Sequence, residues 1–294
     1  MNAQAKIAAQ PTEKLLVLPG PSKPAIRLLV PREHGTWGLL LVPLISGAIV
    51  GYQATSNVSL AAALWFFLTA LSAFLIYQPL ESLLGLSLIK ARSQRQQRIA
   101  IFSVLTLAVI ATAGVLELFH LHRGLILAFG VVALGCFGIR IVLGSSRSMR
   151  VPRQLIGALG LSSAAAGAYY AASGRIGRTG ILLWLASWLF AVGQIEYVHL
   201  RIRTAQVKSR QQKIRLSVAV CFLHFLMIGA SLTAAFAGFA PLLLTLAFVP
   251  SLIRVGVWLA RPWRPLGVHI LGFSELLQGL LFNILLVGAF LIGS

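Results

Sequence analysis

The stretch 58–80, VSLAAALWFFLTALSAFLIYQPL, contains no charged side chain. An α-helix needs about 20 apolar residues to cross the hydrocarbon of a bilayer. The run shows no period-2 alternation and is too long for a barrel strand, so it predicts a transmembrane helix. Eight more runs of this kind lie at about 34–52, 99–118, 123–143, 154–173, 179–198, 214–236, 240–259 and 267–291. The expected architecture is an all-α integral membrane domain of nine helices over 31–294. Residues 1–30, with Pro11, Pro19, Pro21 and Pro24 and three lysines, read as a flexible cytosolic tail.

Composition agrees with that reading. Fifty-eight percent of the 294 residues are hydrophobic, 11% are charged, and the mean hydropathy is +0.87. A soluble domain would carry about 25% charged residues. The net charge of +19 would suggest a nucleic-acid partner in a soluble protein. Here the cations sit in short clusters between apolar runs, which is the pattern of membrane topology, so no nucleic acid is expected. Lysine and arginine stay on the cytoplasmic side. With the N-terminus inside, only Arg123, Arg175 and Arg178 fall on the outer side. The topology read from this is N-in and C-out, with Arg140 and Arg254 snorkelling to the inner surface. Pro43, Pro79 and Pro250 are expected to kink or end their helices. The small residues of GALGLSSAAAGAYYAAS, 157–173, are expected to let helices approach closely.

The acids are few. There is no Asp, and the six acidic residues are Glu13, Glu33, Glu81, Glu117, Glu196 and Glu275. On the expected topology Glu33, Glu81, Glu196 and Glu275 gather near the inner face, with His34, His199 and His269. Ionisable groups at membrane depth are costly and usually face a partner or a cavity. Gln78 and Glu81, Glu196 and His199, and Glu275 and Gln278 are each spaced i,i+3, so each pair projects to one side of a helix. A carboxylate and a histidine one turn apart can ligate a metal or relay a proton. Taken singly, such pairs also fit interfacial ion pairing with nearby cations. Taken together, they suggest one polar cavity lined by Glu33, His34, Gln78, Glu81, Glu196, His199, Glu275 and Gln278. Elsewhere His120 and His122, beside Glu117, read as exposed loop residues, and His224 and Asn283 as helix-to-helix contacts. The two cysteines, Cys136 and Cys221, lie in apolar runs and form no metal or disulfide pattern.

The segment PREHGTWGLLLVPLISG, 31–47, resembles the start of the YwiC-like family of bacterial membrane proteins, through Pro31, His34, Gly35, Trp37 and Pro43. That resemblance implies a bacterial cytoplasmic membrane and no particular chemistry. The nine-helix plan is similar to the UbiA superfamily of intramembrane prenyltransferases. There, Asp-rich motifs at the inner ends of the second and sixth spans hold Mg²⁺ and a prenyl diphosphate. YQPLESLLG, 77–85, stands at the first place and QIEYVHLRIR, 194–203, at the second. In the first, Gln78 replaces an acid, Glu81 keeps a carboxylate and Gly85 loses one. In the second, Glu196 keeps a carboxylate, while His199 and Arg203 stand where acids would be. Mg²⁺ wants several oxygen ligands, and Arg203 would repel it. The metal is therefore left undetermined, with Glu81, Glu196 and His199 as candidate ligands.

One function class is a divergent UbiA-like enzyme or binder with a lipid substrate, an isoprenoid or another anionic lipid. Glu81, Glu196, His199 and His34 would be its catalytic residues. Gln78, Glu275, Gln278, Arg92 and Arg203 would bind the substrate. The rivals are a transporter and a non-catalytic membrane assembly factor. Transport needs polar groups leading to the outer side, and there the sequence offers little beyond Asn283 and His224.

Overall fold

A computed structural model describes residues 34–56, 58–85, 93–143, 149–207, 209–261 and 267–293. The reading of 1–30 as a tail, the roles given to Glu33 and Arg92, and those given to the side chains of His34 and His269 lie outside the described residues. The described chain is all helix: α1 His34–Gln53, α2 Leu60–Leu83, α3 Gln94–His120, α4 Ile126–Val142, α5 Arg150–Ser162, α6 Ala164–Ser173, α7 Arg178–Arg203, α8 Arg210–Phe236, α9 Leu244–Ala260 and α10 Val268–Ile292. Helices α5 and α6 are two pieces of one rod. They meet at Ser163, whose hydroxyl donates to the Gly160 carbonyl at 2.7 Å. Among the described residues there are thus nine rods, one for each expected apolar run. Seven are long and apolar enough to cross a membrane. The other two, α4 and α9, are apolar helices of 17 residues.

The three prolines end none of their helices. Pro43, Pro79 and Pro250 lie inside α1, α2 and α9, which continue past them. In lipid a broken helix would expose many unpaired backbone groups, whereas a proline within the helix forfeits one bond.

The α5–α6 rod lies at the centre of the protein, as its small residues foretold. Every residue of α6 is buried. It packs most closely on α1, through a feature the small-residue reading did not single out: Gly47 and Gly51, a GxxxG pair. A Cβ on Gly47 would stand 2.1 Å from the Ala165 carbonyl oxygen, and one on Gly51 would stand 2.7 Å from that of Tyr169. The two backbones touch there, which is how helices gain contact where lipid removes the hydrophobic driving force. Helix α7 flanks the same rod. Trp184 Nε1 donates to the Leu159 carbonyl at 3.0 Å and Trp188 Nε1 to that of Leu155 at 3.2 Å.

Short connections make successive rods antiparallel. One end of the bundle then collects Arg140, Arg150, Arg153, Arg201, Arg203, Lys213, Arg254 and Arg261, and is called the basic end below. At the other end Arg123 Nε donates to the Ala171 carbonyl and Arg178 Nη1 to that of Gly238, both at 3.0 Å, satisfying carbonyls near helix termini.

Candidate functional site at the basic end

Glu81 sits two residues from the end of α2, on the same face as Tyr77 one turn earlier. Its carboxylate accepts a hydrogen bond from the Tyr77 hydroxyl. Arg140, near the end of α4, reaches the same carboxylate oxygen at 3.9 Å, and its guanidinium lies 4.7 Å from the centre of the Tyr77 ring. Tyr77 also meets Phe137 edge-on at 5.2 Å. The backbones of α2 and α4 scarcely approach one another, so these long side chains are what joins the two helices. Helix α5 supplies the floor. Gly157 has no side chain, and a Cβ there would stand 2.9 Å from an Arg140 nitrogen, so Arg140 lies across it. Arg153, one turn earlier on that face, acts electrostatically on Tyr77. Arg140 Nε, Arg153 Nε and Gln154 Oε1 are buried without hydrogen-bond partners.

A second group joins α7, α8, α9 and α10. Arg254, on α9, pairs with Glu275 of α10 at 2.9 Å and donates from Nη2 to Gln194 Oε1 of α7 at 2.7 Å. Its guanidinium stacks 3.9 Å from the centre of the Tyr197 ring. Arg201 Nη1 donates to the Tyr197 hydroxyl at 3.2 Å and stands 5.8 Å from the Trp258 ring. Lys213 Nζ donates to the carbonyls of Trp258 and Arg261 at 2.6 and 2.8 Å, and so caps the end of α9. Gln278, one turn beyond Glu275, donates to Ser251 Oγ at 3.2 Å, and Ser251 lies one turn before Arg254. Two antiparallel helices thus match polar pair to polar pair.

Glu196 and His199 lie between these groups. Gln194, Tyr197 and Arg201 line one face of α7. Glu196, His199 and Arg203 repeat the spacing two residues on, which is about 200° around the helix. The first face therefore meets Arg254 and Glu275, and the second turns away from them. His199 feels Glu196, Arg150 of α5 and Arg203 electrostatically, and its Nδ1 is buried without a hydrogen-bond partner.

The structure does not bring the expected residues into one set of contacts. Glu81 is held by Arg140 and Tyr77, Glu275 by Arg254, and Gln278 by Ser251. Glu196 and His199 share a face of α7 beside α5. Among the described residues no group of three His, Cys, Asp or Glu side chains could hold a metal ion. The snorkelling expected of Arg140 and Arg254 is also corrected. Both turn onto partly buried carboxylates, because a cation beside a carboxylate in lipid lowers the cost of both. The signal was present: each is a lone arginine inside an apolar run, level with a glutamate on another helix. His120, His122 and Glu117 are exposed, as expected, but Glu117 and His120 stand in the last turn of α3, and only His122 lies in the loop.

Residues 30–173 match the family model for YwiC-like proteins. Over those residues, a little under half of the chain, it is similar to the YwiC-like family. No curated protein matches the chain. The YwiC-like segment ends at the last residue of α6 and holds the whole Tyr77, Glu81, Arg140 and Arg153 group. The Arg254 group and the Glu196–His199 pair lie beyond it. The chain is thus a multi-pass membrane protein whose YwiC-like part carries its own partly buried ion pair.

Proposed function

We propose that the protein binds a membrane amphiphile with an anionic, phosphate-type headgroup at the basic end, where α2, α4 and α5 meet. One observation carries this reading: Arg140 and Arg153 converge there with their Nε groups buried and unpartnered. A guanidinium with free N–H groups is the side chain best suited to phosphate oxygens. Among the described residues of this group the single carboxylate is Glu81, which already accepts from Tyr77. A bound headgroup would take Arg140 from it without leaving it unpaired. The lipid-facing surroundings suit the apolar tail. The same chemistry could come from a glycerophospholipid or from an isoprenyl diphosphate. The basic end then faces the cytoplasm, where anionic lipid attracts it.

Thermal melting of the purified full chain in detergent tests this. Phosphatidylglycerol is expected to raise the melting temperature and phosphatidylcholine to leave it unchanged. A larger rise with farnesyl diphosphate would assign the isoprenoid. R140Q and R153Q are each expected to remove the rise. Equal stabilisation by both phospholipids, with no response to farnesyl diphosphate, would sink the proposal. Orientation has its own check. An alkaline phosphatase fused after Ser294 is expected to be active, since that enzyme needs the outer side, and a fusion before residue 30 to be silent.

A further inference from the structure

The C-terminal half holds a pattern that the headgroup site does not use. Phe190 of α7, Met227 of α8, Phe248 of α9 and Phe282 of α10 belong to one buried cluster. Phe190 and Phe282 stack with ring centres 4.0 Å apart, and Phe248 leans on Phe282 at 5.7 Å. One helical turn toward the basic end, each of the four helices turns a buried polar residue the same way: Gln194, His224, Ser251 and Gln278. One turn toward the other end, three of them do so again, with Ser187, Ser231 and Thr245. Residues three or four apart share a helix face, so these are layers and not a scatter.

The layers are internally linked. Gln278 donates to Ser251 on the basic side, and Ser231 Oγ donates to Thr245 Oγ1 at 3.2 Å on the other. Ser187 Oγ is buried without a partner. Buried polar groups inside a membrane are expensive, and two matched layers either side of an aromatic one are not needed for packing.

We infer that α7–α10 form a gated proton path, with the Phe190–Phe282 stack as its plug. The basic-side mouth is Arg254 and Glu275. The stacked rings leave no room for a solute, and the fixed charge of Arg254 repels metal cations. Protons can cross along transient water that the two polar layers hydrogen-bond. His224 supplies the relay. Its Nδ1 faces the Val220 carbonyl at 2.8 Å. A carbonyl only accepts, so Nδ1 carries the hydrogen and Nε2 the lone pair. Nε2 points at Gly193 of α7, within 3.4 Å of where a Cβ would be. A hydronium O–H bond breaks, leaving water, as an Nε2–H bond forms. When the rings part, the imidazolium returns that proton from Nε2 to a water that reaches through from the far layer. The charged groups facing it are Arg254 and, through it, Glu275.

The test uses the full chain in liposomes that enclose a pH-sensitive dye, with a potassium diffusion potential driving proton entry. Wild-type vesicles are expected to acidify faster than protein-free ones. F282A, which unplugs the path, is expected to speed this severalfold. H224F is expected to bring it down to the protein-free rate, alone and in the F282A background. T245V, in the far layer, is expected to slow it, and serves where H224F does not fold. Wild-type and F282A vesicles both matching protein-free vesicles would overturn the inference. So would flux that folded H224F and T245V leave unchanged.

Discussion

Gly47→Ala is expected to destabilise the membrane domain severely, and Gly130→Ala to stabilise it or leave it unchanged. The same methyl group is added to a helix in both cases. In a helix interior it normally helps by up to about 1 kcal/mol, because alanine loses less backbone freedom than glycine. Gly130 lies in open space, with nothing within 4 Å of an added Cβ, so α4 should show only that gain. At Gly47 the new carbon would stand 2.1 Å from the Ala165 carbonyl oxygen and 2.9 Å from its carbon. Those atoms belong to a helix backbone and cannot rotate away. Helices α1 and α6 must then move apart. The neighbouring contact of Gly51 with Tyr169 loosens with them, and so does the packing of Leu40 and Leu44 against Ala164 and Ala168. Overpacking a core costs about 1–3 kcal/mol even where side chains can adjust. Here they cannot, and the expected loss lies at or above the top of that range. Thermal melting of the two variants in one detergent decides the matter. A Gly47→Ala protein as stable as wild type would mean that α1 and α6 do not touch as described.

That contact also marks where the sequence was legible and where it was not. Each of the nine apolar runs became a rod, because the bilayer sets helix length and the chain has few charges to blur the ends. The small residues of 157–173 announced the central rod. Their partner was less visible, since two glycines in a span of twenty acquire meaning only when a facing helix is known. The candidate site divides in the same way. Depth could be read: Glu81, Glu196, Glu275, Arg140 and Arg254 do share the basic end. Facing could not be read across helices. Glu196 and Tyr197 are neighbours in sequence, yet only Tyr197 meets Arg254, because α7 turns about 100° per residue. The far side looked bare of polar groups because Ser187, Ser231 and Thr245 look ordinary one at a time. Only their common facing makes a layer of them.

Arg254→Met is expected to be the most damaging change at the basic end, and adding Glu275→Leu to it is expected to restore much of the loss. Arg254 joins its own helix, α9, to both α7 and α10. Its removal leaves the Glu275 carboxylate, 14% exposed, facing an apolar neighbour, and leaves Gln194 Oε1 without its donor. Breaking a buried ion pair from one side costs about 3–5 kcal/mol, whereas replacing both partners with apolar groups of similar volume is often nearly neutral. The double variant should therefore melt close to wild type, short by the orphaned Gln194. Arg140→Met should cost less. Its contact with Glu81 is longer, at 3.9 Å against 2.9 Å, the side chain is more exposed, and Tyr77 still donates to the carboxylate. Melting curves of the four proteins in one detergent give the ranking. If R254M and R254M/E275L melted alike, the lost stability would reside in the Tyr197 stack and the Gln194 bond, and the ion pair would hold α9 to α10 only weakly. A fully restored double variant would instead mean that the pair is dispensable for folding. Its place at the mouth of the α7–α10 path would then be the reason to keep two opposite charges in the membrane.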